Sequence, residues 1–179
     1  ESWDGNFRKS TFEAASYACE TAKILGTEVI AISLGEVSND ELNKLGNYGV
    51  NKVVSFNAID KGDSQSATKA IAKIANDSSV LIFSNTNTAK MIAPRLSAKL
   101  KAGIVSNVIT LSESVSPLQV KRQAFSSKAI ELATVNSSIA ILAIAPNSFK
   151  LIETGGNCTI EQDSTNEKGA INIEGKETA

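Results

Sequence analysis

The residues best suited to chemistry cluster in Ser84-Asn85-Thr86-Asn87-Thr88, with Lys90 and Arg95 close behind. Hydroxyl and amide side chains of this kind bond to nearby backbone, cap helices and receive polar ligands. The run before them, Val80–Phe83, is short, apolar and uncharged, as a buried parallel strand requires. In open α/β sheets, ligands and partners gather at the carboxyl ends of strands, beside helix N-termini. The loop therefore reads either as a connection and helix cap or as a contact for a partner. Lys90, Arg95 and Lys99 have the same two readings, a solvated helix face or a docking surface.

Other chemistries find little support. The loop has no glycine for a phosphate, and neither a Gly-x-Gly-x-x-Gly pattern nor a Walker loop occurs. The chain has no histidine, which removes Ser-His-Asp triads, Cys-His pairs and His-bearing metal sites together. Asp60, Asp63 and Asp77 fall in turns and form no carboxylate pair. Cys19 and Cys158 do not make a disulfide framework and fit a reducing compartment. No catalytic or metal-binding constellation is expected.

The elements around the loop follow from spacing. Ala89, Ile92, Ala93, Leu96 and Leu100 recur at three- and four-residue steps, one face of a helix. Pro94 lies inside it and predicts a kinked or irregular first turn, and Gly103 should stop it. Ile104–Leu111 is then a strand. Earlier, Ser10 or Thr11 should cap a helix that carries Phe12, Ala15, Tyr17, Ala18, Ala22 and Leu25 inward and ends at Gly26. Val29–Leu34 and Lys52–Phe56 read as strands, Asp40–Tyr48 and Ser64–Asn76 as helices. This alternation predicts an α/β fold: a mostly parallel, Rossmann-like sheet of the nucleotide-binding type with helices on both faces. The first helix should follow a central strand, yet nothing before Ser10 except Trp3 is apolar enough. The expectation is that a few residues ahead of Glu1 are missing, and that the slot is filled by other residues or the sheet edge falls elsewhere.

After Leu111 the rhythm changes. Val120–Phe125 is a strand candidate that carries Lys121 and Arg122. Ala129–Val135 and Ile139–Ile144 are expected to pair across Asn136-Ser137-Ser138 as a C-terminal antiparallel hairpin. Gln162–Ala179 is charged and rich in small residues, with only Ile171 and Ile173 in apolar alternation. It reads as a linker with at most one short edge strand.

The run Ala89-Lys90-Met91-Ile92-Ala93-Pro94-Arg95-Leu96-Ser97-Ala98-Lys99-Leu100 resembles a Gly-Lys-x-Leu-x-Pro-Arg segment of electron transfer flavoprotein alpha subunits. The following Val-Ser-Asn-Val-Ile is similar to that family's x-Ser-Asp-Val-Ile. Ala89 replaces a glycine and Asn107 an aspartate. Phe149 matches a family phenylalanine, while the family's Thr-Val-Arg is Ala143-Ile144-Ala145 here, so no role of that arginine carries over. The resemblance covers residues 1–160, an N-terminal domain. Residues 161–179 would lead to an absent domain that makes the main FAD contacts.

The resemblance implies a scaffold and interface domain of an electron carrier that takes electrons from flavin dehydrogenases through FAD. Its partner would be a beta subunit, met through Asn85, Thr86, Lys90, Arg95 and Arg122. No FAD is expected on this chain alone. The alternative is a free-standing adenine-nucleotide-binding α/β module of the stress-protein type.

Composition agrees with a domain of ordinary size. The 179 residues are 42% hydrophobic, enough for a core, and carry a net charge of −1. That balance gives no electrostatic case for nucleic acid or a membrane surface. No apolar run approaches a membrane span, and a cytoplasmic location is expected.

Overall fold

The structure is a computed structural model that describes residues 1–171 and 173–175. Two short strands, β1 (Ser2–Trp3) and β2 (Asn6–Phe7), form an antiparallel ribbon. Helix α1 (Lys9–Leu25), strand β3 (Ile30–Leu34), helix α2 (Asn39–Asn43) and a 3-10 turn (Lys44–Tyr48) follow. Then come β4 (Lys52–Phe56), α3 (Ser64–Ala75), β5 (Val80–Ser84), α4 (Asn87–Leu100) and β6 (Gly103–Val108). The second half contains β7 (Ser114–Val115), β8 (Leu118–Ala124), β9 (Ala129–Val135), β10 (Ala140–Ile144) and β11 (Thr159–Gln162).

Local chemistry explains most boundaries. Asp63 caps α3 by accepting from the Gln65 and Ser66 N–H groups at 3.0 and 3.2 Å. Thr86 caps α4 by accepting from the Ala89 N–H at 3.2 Å. The expected irregular first turn is therefore an ordinary capped one, and the helix runs through Pro94 in its second turn. Gly26 ends α1 in the left-handed conformation that glycine adopts freely. At the end of α4 that conformation falls on Lys101, so Gly103 is not the stop. It begins β6, where a Cβ would lie 2.6 Å from the Val135 side chain.

The strands form two main sheets rather than one. In the larger, β10 lies between β5 and β6, parallel to both, and β6 continues through the antiparallel β8 to β7 and β9. In the smaller, β4 lies between β11 and β3, all parallel. Helices cover both faces. Helices α3 and α4 pack with Val54, Phe56, Leu81, Phe83 and Ile141. On the other side, Tyr17 of α1 meets Val80, Ile82 and Leu142, while α1 and α2 cover Val53 and Ala31. Successive residues of β4, β5 and β10 thus point to opposite faces, both apolar, as parallel strands demand. The α/β, parallel-dominant expectation holds.

Two expectations change. The antiparallel hairpin pairs β8 with β9, from Leu118↔Val135 to Ala124↔Ala129. Ile139–Ile144 is not its partner but contains the most interior strand of the sheet. The reason is charge: β10 has none and is buried throughout, whereas Lys121 and Arg122 of β8 face Leu132 and Glu131 of β9 at the surface. The first-strand slot is neither filled nor avoided. Between β3 and β5 lies an open cavity of about 580 Å³ lined by both strands, and no described strand pairs with either facing edge.

The segment read as a linker is largely exposed but tethered along α3 by polar contacts. Asp163 meets Lys73 at 2.7 Å, Glu167 meets Lys69 at 3.2 Å, and the Gly169 N–H donates to Asp63 at 2.6 Å, all along α3. Strand β11 (Thr159–Gln162) runs across the boundary placed after residue 160. Ile171 and Ile173 lie in no strand, and residues 172 and 176–179 fall outside the described residues.

Candidate docking surface at the carboxyl ends of the strands

The polar loop lies where the sequence places it, between the end of β5 and the first turn of α4. The Asn85 N–H donates to the Ile144 carbonyl at 2.9 Å, which extends the sheet by one bond. Its side-chain amide donates to the Asn107 Oδ1. The Asn85 Oδ1 is buried and has no partner among the described residues. A buried acceptor without a donor is unfavourable by about 1–3 kcal/mol.

Asn107 is held there by a bulge. β6 pairs Ser106 with Ala143 and Val108 with Ile144, so Asn107 is extra and adopts φ +57°. Asparagine tolerates that left-handed conformation better than most residues. Beside it, the Arg122 Nε donates to the Ser106 carbonyl at 3.0 Å, and another guanidinium nitrogen meets Glu131 at 3.2 Å. Arg122 therefore ties the hairpin to β6, and Ser106-Asn107 connects it to Asn85.

Thr86 stands next to this network as the α4 cap. Lys90 and Arg95 do not join it. Both are exposed and lie five residues apart, about 140° around the helix. The five predicted residues thus form one connected group, Asn85, Thr86 and Arg122, and two separate charges on α4.

Glu1 and the hairpin escaped sequence reasoning. The Glu1 carboxylate accepts from the Thr88 hydroxyl at 3.0 Å and from the Trp3 indole at 3.1 Å. Burial raises its pKa, but the Thr86 and Thr88 hydroxyls, the amino terminus and Lys61 outweigh this and hold it below the usual value. Trp3 lies between two cations, 4.2 Å from Arg8 and 4.6 Å from Lys61. The β8–β9 hairpin exposes Phe125, Ile130 and Leu132, at 83, 67 and 51%. The alternation of β9 carried that signal, but only the correct partner strand reveals which side stays in solvent. Among the described residues, no three potential metal ligands cluster. The surface offers donors, acceptors and apolar contact, which suits recognition.

Residues 1–171 match the model of the electron transfer flavoprotein domain. The chain belongs to that family. It is 28% identical over 155 residues to the electron transfer flavoprotein subunit alpha of Bacillus subtilis, covering 84% of this chain and 47% of the relative. The corresponding subunit of Syntrophomonas wolfei is 26% identical over 160 residues, with 87 and 49% covered. Subunit LctC of the NAD(+),ferredoxin lactate dehydrogenase of Acetobacterium woodii is 26% identical over 128 residues, with 66 and 30% covered. The chain spans about half the length of the two subunit alpha relatives. No helix among the described residues is long and apolar enough to cross a membrane.

Proposed function

We propose that this electron transfer flavoprotein domain is the N-terminal scaffold and interface domain of an alpha subunit. It docks to a beta subunit and helps close a flavin site whose main FAD contacts lie in a further domain beyond the 161–179 linker. The complete protein then takes electrons from flavin dehydrogenases through FAD, in the cytoplasm. Two alpha subunits among the relatives, each about twice as long, support this reading. The observation that carries the docking role is the β8–β9 hairpin. Phe125, Ile130 and Leu132 remain in solvent beside the half-buried Arg122, an apolar patch with a polar rim of the kind that partners cover. The stress-type nucleotide module finds no glycine loop in Ser84–Thr88 to receive a phosphate.

The test pairs this chain with a beta-subunit homologue in gel filtration. The unaltered chain should co-elute, and the purified chain alone should lack flavin's visible absorption. Lys90→Glu with Arg95→Glu, which reverses two exposed charges on α4 outside the hairpin patch, should weaken assembly with an unchanged circular dichroism spectrum. Co-elution that the double substitution leaves intact removes Lys90 and Arg95 from the interface. Tightly held FAD on the chain alone overturns the domain assignment.

A further inference from the structure

The segment after β11 follows α3 from its last turn back to its cap. The ladder of β11 first extends by one bond, from the Asp163 N–H to the Ser55 carbonyl at 2.9 Å. Lys73, in the last turn of α3, then donates to the Asp163 carboxylate at 2.7 Å and to the Thr165 hydroxyl at 3.2 Å. About one helical turn earlier, Lys69 meets Glu167 at 3.2 Å. At the start of the helix, the Gly169 N–H donates to the Asp63 Oδ2 at 2.6 Å and the Ala170 N–H to the Gln65 Oε1 at 2.8 Å. The contacts thus step in order, with the segment running against the direction of α3. The spacing of Asp163 and Glu167 repeats that of Lys69 and Lys73, so each acid finds its own lysine.

The contact at Asp63 differs from the others. Its Oδ1 caps α3 by accepting from the Gln65 and Ser66 N–H groups, while its Oδ2 takes the Gly169 N–H. One buried carboxylate serves the helix and the segment with separate oxygens. Gly169 is required there by space, because a Cβ would overlap both carboxylate oxygens. The carboxylate cannot move aside without giving up the cap. By contrast, nothing apolar anchors the segment. Residues 161–171 are exposed or half-buried, and Ile171 is 51% exposed. Both ion pairs lie at the surface, where each contributes little and salt screens it. The helix does not depend on these contacts. Ala67, Ala70, Ile71 and Ala75 hold it to the core, and the Oδ1 cap remains when Gly169 leaves.

We propose that residues 163–170 form a latch, a strap that docks on α3 and detaches as one unit while the helix stays folded. Gly169 on Asp63 is the catch, and the pairs Lys73–Asp163 and Lys69–Glu167 set the register. Docked, the strap leads the chain to the start of α3. Released, it frees the chain after β11 and leaves Lys69 and Lys73 without these acidic partners. The latch uses only residues of the strap and of α3 with its cap, and it is independent of the docking role of the hairpin.

Backbone nitrogen-15 relaxation of the 179-residue chain tests it at both ends of the strap. The unaltered chain should give order parameters of about 0.85 from Ser164 to Ala170, as in a rigid backbone. Gly169→Ala, which sets a methyl group against Asp63, should lower them below about 0.6 as far back as Ser164. Lys69→Glu with Lys73→Glu leaves the catch untouched, yet should lower them as far forward as Ala170. In both variants α3 and β10 should keep the values of the unaltered chain. Order below about 0.6 in the unaltered strap overturns the latch. So does a variant that loses no order, or loses it only beside the altered contact, because the contacts would then act separately. Loss of order in α3 together with the strap also overturns it, since the strap would then be part of the helix's own fold.

Discussion

Strands β10 and β5 are neighbours with similar sequences, Ala-Ile-Leu-Ala-Ile and Val-Leu-Ile-Phe-Ser, yet their surroundings differ. Every residue of β10 is buried, and no residue of β5 is. Composition does not separate them, since β5 has the larger apolar side chains. The difference is the number of paired edges: two for β10, one for β5. β3, the strand across the cavity, repeats the pattern, with Ile30 49% exposed. Apolar side chains on both faces are not enough to bury a parallel strand. It also needs a neighbour on each side.

The largest expected effect comes from truncating the same residue type on each strand. Leu142 of β10 is fully buried, and Leu142→Ala should destabilise the domain by about 2–5 kcal/mol in urea unfolding, from lost burial and a new void. Leu81 of β5 borders the open cavity, so Leu81→Ala should destabilise by about 1 kcal/mol or less. Equal losses at the two sites would show that β5 is packed like β10 and that the cavity is closed in solution.

The same contrast shows what was legible in the sequence. Periodicity located α1, α3, α4 and the strands Val80–Phe83 and Lys52–Phe56, because alternation and three-to-four spacing are local properties. It did not reveal which strands become neighbours. Ile139–Ile144 was matched with the nearest strand in sequence, although its uncharged run suits a doubly paired interior position. Strand β11, Thr-Ile-Glu-Gln, escaped because its pairing with β4 supplies what its composition does not. Within the candidate site, Asn85 and Thr86 were visible as loop and cap chemistry. The tie from Arg122 through Ser106 and Asn107 to Asn85 was not, since it depends on a bulge and on three strands distant in sequence.

The smallest effect lies at the far edge of the smaller sheet, where β11 leads into the segment along α3. Asp163 accepts from Lys73 at 2.7 Å and from the Thr165 N–H at 2.9 Å, and these partners lower its pKa to about 2. A depressed carboxylate contributes stability above its unfolded pKa of 3.8 and loses it as pH falls from about 4 to 2. The pair is at the surface, so only local release is expected: faster amide exchange at Thr165 and Gly169, with that of β10 unchanged. Asp163→Asn should give the faster exchange already at neutral pH. If β10 exchanged faster along with the tail, the edge of the smaller sheet would be coupled to the interior of the larger one. The open cavity between β3 and β5 argues against that coupling, because no backbone ladder crosses it to carry the opening.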